Sequence, residues 1–283
     1  MAVLLVALLD GTLVDPARPI VRADDQGVVR GDGVFDALLA VRGRARDLDA
    51  HLGRLAQSAR MLDLPAPDEA GYRRAVDAVL AAWDWAEHPE AVLRLILTRG
   101  PEGTEDDPNG WVMAAPLDAA SRRQRSEGVR VLLLDRGFEG GEIADLPWLL
   151  PGAKSLSYGI NMAAKRYAVA NGADDVIFRA PSGKLLEGPT SSVVLDLDGV
   201  LVTPPLDGIL RSITIEELVS GAPEAGIEVR IQELHQDDLG RCRGAWLLSS
   251  GRILARVTHV DGRELPSSPL DARLSRLLGV PWR

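Results

Sequence analysis

Leu146-Pro-Trp-Leu-Leu-Pro-Gly-Ala-Lys154-Ser-Leu-Ser-Tyr158 is the stretch that decides how this chain is read. Its prolines and glycine keep the first half irregular. The pattern after it is helical from about Ser157 to Ala170, where Asn171-Gly172 suits a C-cap. Lys154 therefore stands where a loop hands over to a helix. Its small, apolar neighbours favour the neutral amine by desolvation. On position alone, a surface lysine whose amine reaches water is the favoured reading. Composition adds a second consideration. Lysine and arginine together number 32, yet the only lysines are Lys154, Lys165 and Lys184. Codon bias explains such a ratio, but an amine can deprotonate and form an imine, whereas a guanidinium cannot. Lys165, beside Arg166 inside the helix, reads as part of a solvated face. Lys184 lies in a Ser-Gly-Lys hairpin turn and reads as exposed. If one lysine carries imine chemistry, it is Lys154.

Working outward, Leu48, Leu52, Leu55, Ala59 and Leu62 have the spacing of an amphipathic helix. Tyr72, Val76, Val79, Leu80 and Trp83 mark a second. Strand-like runs at Val34–Val41, Ala91–Thr98 and Trp111–Ala115 surround them, and Arg42-Gly43 reads as a hairpin turn. The polar segment 118–128 has no strand periodicity and is read as a linker between a domain over 1–117 and a domain over 129–283. The second domain restarts at Val129–Leu134. It continues with Val176–Phe178 and Leu185-Leu186 about the turn Pro181–Lys184, then Val193–Leu197 and Val200–Val202 about Asp198-Gly199. A helix begins near Ser212. Strands follow at Glu228–Ile231, Trp246–Ser249 and Ile253–Val257, and a last helix at Leu270–Leu278. Strands and helices without strict alternation predict an α+β fold.

The chain has 283 residues, 46% of them hydrophobic, enough to bury a substantial core. A net charge of −9 argues against nucleic acid as a partner, which requires basic patches. The single cysteine, Cys242, permits no internal disulfide and reads as structural. The apolar start Met1–Leu9 lacks a basic region and is cut short by Asp10-Gly11, so it reads as a sheet edge rather than a signal peptide. No window reaches the roughly 18 apolar residues of a membrane helix. A soluble cytoplasmic protein is the expectation.

Several segments could carry chemistry. In Glu187-Gly-Pro-Thr-Ser-Ser192 a carboxylate leaves a strand into a tight turn followed by hydroxyls. A carboxylate can keep a pyridine nitrogen protonated, and hydroxyls with turn amides suit a phosphate; the segment is equally a structural turn. Ile209–Thr214 opens a helix whose free amides suit a phosphate, or Ser212 or Thr214 is simply an N-cap. Arg54, in His51-Leu-Gly-Arg54-Leu, is off the apolar stripe and is either solvated or a phosphate clamp. The chain has no P-loop, GxGxxG or HExxH. His51, His88, His235, His259 and Cys242 show no metal-ligand spacing, so no metal is expected.

The order of these pieces resembles the fold-type IV, or class IV, pyridoxal-phosphate enzymes, which include branched-chain and D-amino acid aminotransferases and aminodeoxychorismate lyases. The likeness runs from about Asp10 to Gly262. It rests on Arg30-Gly-Asp-Gly-Val-Phe-Asp36, His51–Leu55, Lys154-Ser-Leu-Ser-Tyr158, Gly172-Ala-Asp-Asp-Val176, Glu187–Ser192, Thr203-Pro-Pro205 and Gly208–Thr214. The resemblance implies a two-domain α+β fold like that of D-amino acid aminotransferase, with pyridoxal 5'-phosphate between the domains, and a homodimer. It makes Lys154 the Schiff-base lysine and Glu187 the carboxylate at the pyridine nitrogen. Arg54, Ile213 and Thr214 become phosphate contacts, with Ser250-Gly251 a further phosphate-side turn. Ser191 and Ser192 contact the cofactor, and Phe35 and Tyr158 line the cofactor or substrate. The chain departs from the family pattern at Ser192 in place of Asn, at Ser212 in place of Gly, at Ile215 in place of Arg, and at Asp36 in place of Glu.

The reaction is read from loops. The Arg-x-His that grips the substrate in D-amino acid aminotransferases is absent after Thr98-Arg-Gly100, where Pro101–Asp107 is acidic. The short Lys154-to-Tyr158 spacing matches the lyase and D-amino acid branches, and the overall likeness is to proteins assigned as aminodeoxychorismate lyases. The expectation is therefore cleavage of 4-amino-4-deoxychorismate to 4-aminobenzoate and pyruvate, a step of folate biosynthesis. A class IV aminotransferase is the alternative, and a non-catalytic cofactor-binding protein a third. The substrate is a small amine or amino acid, and Arg30, Arg99, Arg211 and Arg252 are candidates for its carboxylates.

Overall fold

The computed structural model describes residues 4–103, 107–143 and 145–281. The chain divides into two compact units. The first is Met1–Asp118 with Ala153–Tyr158, and the second is Ala119–Gly152 with Gly159–Arg283. The first unit thus recruits a short segment from the middle of the chain, the one that carries Lys154.

In the first unit the strands are β1 (Leu5–Leu8), β2 (Leu13–Val14), β3 (Gly33–Val41), β4 (Arg44–Ala45), β5 (Glu90–Thr98) and β6 (Asn109–Pro116). They form an antiparallel sheet in the order β2-β1-β6-β5-β3-β4. The N-terminal run is therefore an inner strand, and β2 after Asp10-Gly11 is the edge. Arg42 and Gly43 both have positive φ, 47° and 84°, the shape of a two-residue turn whose twist matches its strands. Helices α1 (Gln26–Val29), α2 (Leu48–Met61) and α3 (Glu69–Ala82) complete the unit. Leu52, Leu55 and Ala59 of α2 and Tyr72, Val76 and Val79 of α3 are buried with Val34, Leu38 and Ala40 of β3. Burying each large apolar side chain contributes roughly 1.5–3 kcal/mol before conformational entropy is charged.

In the second unit the strands are β7 (Val129–Asp135), β8 (Asp175–Arg179), β9 (Glu187–Gly188), β10 (Ser191–Leu197), β11 (Val200–Thr203), β12 (Glu228–Ile231), β13 (Gly244–Ser249), β14 (Ile253–Val260) and β15 (Arg263–Glu264). They form one mixed sheet in the order β12-β11-β10-β13-β14-β7-β8, with β9 on β10 and β15 on β14. The helices are α4 (Ala119–Glu127), α5 (Gly140–Ile143), α6 (Gly159–Ala170), α7 (Ile213–Gly221) and α8 (Asp271–Leu277). Within the polar segment 118–128, Ala119–Glu127 thus form helix α4, and the polarity reflects an exposed helix that buries only Arg125. Helix α6 starts at Gly159 rather than Ser157, because Ala153–Tyr158 is drawn into the first unit. Cys242 is buried, and burial pushes its thiol pKa up, in keeping with a structural role.

Candidate active site

The first unit seats Lys154 by strand pairing. Only the far end of β3 is covered by β4, which pairs at Ala40 and Val41. The edge at Gly33–Phe35 is open to another strand, and the segment Lys154–Leu156 takes it. Phe35 N donates to Lys154 O at 3.0 Å, Leu156 N donates to Gly33 O at 2.8 Å, and Val34 bridges Ser155. From α2, Ser58 Oγ accepts Lys154 N at 3.1 Å. Gly33 has to be glycine: a Cβ there would lie 2.6 Å from Leu97 O and 2.7 Å from Leu156 Cδ1. Residues opposite one another on paired strands share a face, so Lys154 and Phe35 project together. Lys154 Nζ lies 4.6 Å from the Phe35 ring centroid and 5.4 Å from that of Tyr158. The two rings meet edge to face at 5.2 Å. Lys154 is 9% exposed. Position alone favoured a surface lysine; the pairing with β3 instead buries it.

Asp36, one residue on, faces the opposite side of β3 beneath α2. Its carboxylate receives Arg54 Nε at 2.8 Å and Nη2 at 2.7 Å, His51 Nδ1 at 2.7 Å and the Ala37 amide at 2.7 Å. Burial by itself pushes this carboxyl pKa up. The hydrogen bonds and charges of Arg54 and His51 outweigh burial and hold it well below the usual carboxylate range. This cluster was not read from the sequence. Its signal was the i, i+3 spacing of His51 and Arg54, which puts both on one face of α2.

The second unit assembles the other predicted residues. β9 turns into β10 with Ser191 opposite Gly188 and Ser192 opposite Glu187. A Cβ on Gly188 would lie 2.5 Å from Ser191 Oγ and 2.8 Å from Val176 O, so only glycine fits this turn. Asn161 Nδ2 of α6 donates to Pro189 O at 2.7 Å. Glu187 Oε2 accepts Leu210 N at 3.3 Å. Ser212 caps α7 by accepting Ile215 N, and Ile213 and Thr214 lie buried in the helix's first turn. The N-cap reading therefore holds for Ser212 and leaves the other early amides of α7 to be satisfied from outside the helix. Ser191 Oγ is buried with no hydrogen-bond partner among the described residues. An orphaned buried hydroxyl beside a carboxylate-bearing turn suits a polar ligand. In the second unit the carboxylate, the hydroxyl and the helix-start amides are groups that suit a phosphorylated pyridine, and in the first unit the aromatic-flanked amine of Lys154 is a group that can form an imine with an aldehyde.

The arginines proposed for substrate have protein partners. Arg99 binds Asp32 through Nε at 2.7 Å and donates to the Leu62 and Asp63 carbonyls. Arg30 is exposed and pairs with Glu102 at 2.9 Å. Arg211 is exposed and pairs with Glu216. Arg252 is 6% exposed, with Nη1 3.1 Å from Asp175 and 2.8 Å from Gln124 Oε1. Residues 104–106 of the acidic loop lie outside the described residues. Lys184 is exposed and pairs with Glu233 at 2.6 Å, as its turn position predicts. Lys165 departs from the solvated reading: its amine is 3.8 Å from the buried Asp175, because β8 brings that carboxylate under α6. Among the described residues no group of His, Cys, Asp and Glu could hold a metal, and no helix is long and apolar enough to cross a membrane.

Comparison with known proteins gives this geometry a family. The model for amino-transferase class IV matches residues 33–260. A Mycobacterium tuberculosis protein named bifunctional aminodeoxychorismate lyase / D-amino acid transaminase is 43% identical over 276 residues, 94% of each chain. The structure of a hypothetical aminotransferase from the same organism, in a PLP-bound form, is 42% identical with a TM-score of 0.93, covering 98% of this chain and 97% of that one. A fold IV-transaminase from Curtobacterium pusillum is 42% identical with a TM-score of 0.90, covering 98% and 99%. The chain belongs to the class IV aminotransferases, with their two-domain α+β fold.

Proposed function

We propose that this protein is a 4-amino-4-deoxychorismate lyase, releasing 4-aminobenzoate and pyruvate from one substrate molecule. As a class IV enzyme it uses pyridoxal 5'-phosphate, which when bound supplies an electron sink conjugated to the substrate amine. The observation that carries the reading is the seat of Lys154, an amine fixed on the Phe35 and Tyr158 rings by strand pairing to β3. Lys154 Nζ anchors the cofactor. Freed from that role, the amine would take the proton from the amine-bearing ring carbon and return it to the departing enolpyruvyl fragment, giving pyruvate. Loss of the enolpyruvyl group then aromatises the ring, and the substrate's atoms are all accounted for in the two products. Glu187 keeps the pyridine nitrogen protonated. Arg54, its guanidinium oriented by Asp36 through Nε and Nη2, the α7 amides of Ile213 and Thr214, and the Ser250-Gly251 turn take the phosphate, and Ser191 and Ser192 donate hydroxyls. Phe35 and Tyr158 pack against the cofactor or substrate. Arg30, Arg99 and Arg211 are the remaining candidates for the substrate's two carboxylates.

Transamination is the second reading, favoured by the name of the Mycobacterium tuberculosis relative, which joins lyase and D-amino acid transaminase. One assay separates the readings. Purified protein is given aminodeoxychorismate without any keto acid, and pyruvate is measured. Many turnovers per protomer support the lyase; product formation only from an amino acid plus a keto acid sinks it. We further propose a cytoplasmic homodimer. The exposed Trp148, Ile160, Tyr167 and Val169 of the second unit are apolar side chains that such an interface would cover. Light scattering at one protomer mass would contradict it.

A further inference from the structure

We propose that Arg125 and Arg252 are positioning residues that hold the Ser250-Gly251 turn in the shape that receives the cofactor phosphate; this rests on the phosphate role given to that turn above. Arg125, on α4, is 3% exposed. Its Nε donates to Arg252 O and its Nη2 to Gly251 O, each at 2.9 Å. One guanidinium therefore draws two consecutive carbonyls to the same side. In a trans peptide the N–H points opposite to the C=O, so the amides of Arg252 and Ile253 are directed away from Arg125. Arg252 secures the turn a second time through Asp175 and Gln124, and Gln124 is the neighbour of Arg125 on α4.

The turn needs such a grip. Ile253 has φ 64° at 1% exposure. A β-branched residue in the left-handed region is an outlier that persists only where its surroundings impose it. Arg252 Nε and Nη2 are buried with no hydrogen-bond partner among the described residues. A buried guanidinium with unmatched donors is a poor source of stability, which points to a positional role. Arg252 is thereby reassigned from the substrate carboxylate to the support of the phosphate turn.

The test compares two ligands that differ only in the phosphate. Cofactor-stripped full-length protein is titrated with pyridoxal 5'-phosphate and with pyridoxal, for the wild type, Arg125→Gln and Arg125→Lys. Losing two charge-assisted hydrogen bonds behind the turn should weaken pyridoxal 5'-phosphate about tenfold, equivalent to about 1.4 kcal/mol, and leave pyridoxal unchanged. Arg125→Lys, which keeps one donor, should fall between. If Arg125→Gln does not fold, Arg125→Lys decides on the same ratio. Equal weakening of both ligands, or an unchanged ratio, overturns the proposal and leaves the cofactor assignment standing. A wild type that does not prefer the phosphorylated ligand sinks the phosphate role of the turn itself, and the proposal with it.

Discussion

Each unit buries an arginine against an aspartate, and the two pairs are built differently. In the first unit Asp36 is matched on every side by Arg54, His51 and the Ala37 amide, and Arg54 meets it through two nitrogens. In the second unit Asp175 faces Arg252 at 3.1 Å and Lys165 at 3.8 Å, yet Asp175 Oδ2 and two guanidinium nitrogens have no hydrogen-bond partner among the described residues. Burying two charges costs several kcal/mol per ion, which attraction offsets only when geometry and hydrogen bonding are complete. The first pair meets that condition and the second does not. The Asp36 cluster therefore holds the first unit's core together, while the Asp175 pair shapes a turn.

Removing one partner of each pair is the sharpest way to break this comparison. Asp36→Asn removes the carboxylate that Arg54 meets through two nitrogens, and should lower unfolding stability by about 3–5 kcal/mol, measured by urea denaturation. Arg252→Met should cost less, about 1–3 kcal/mol, because Lys165 still faces Asp175. If Arg252→Met proves the costlier, the contrast is wrong. Replacing both members, Asp175→Asn with Arg252→Met, should return stability to within about 1 kcal/mol of the wild type, while pyridoxal 5'-phosphate still binds more weakly.

The last and smallest effect is one of pH. The folded pKa of Asp36 lies below its unfolded value of about 3.9. Its contribution is therefore complete above that unfolded value and is lost as the pH falls through the folded one. The stability gap between the wild type and Asp36→Asn should be constant near neutrality and narrow in acid denaturation below about pH 4. A gap that widens in acid would reverse the sign and refute the assignment of Asp36 as an ionised partner.

What could be read from the sequence divides along physical lines. The stripe of Leu48, Leu52, Leu55 and Ala59 placed α2 because a helix buries one face, and the turn residues at Arg42-Gly43 and Asp198-Gly199 placed their hairpins because glycine tolerates positive φ. The order of motifs around Lys154 singled it out as the proposed anchor. Its seat was not legible, because strand pairing between Gly33–Phe35 and Lys154–Leu156 joins segments far apart in the chain. For the same reason Lys165 looked solvated and Arg252 looked available: their shared partner Asp175 arrives on another strand. Helix α4 was missed because a polar, exposed helix carries little hydrophobic periodicity. The left-handed backbone of Ile253 has no sequence signal at all, since isoleucine predicts extended structure.

Lys154 is proposed here as the cofactor's anchor. Borohydride reduction of the protein loaded with pyridoxal 5'-phosphate, followed by peptide mass mapping, tests it most directly. A pyridoxyl group should be found fixed covalently to the peptide that carries Lys154, and none in Lys154→Ala. A label on Lys165 or Lys184, or one that survives in Lys154→Ala, would contradict it.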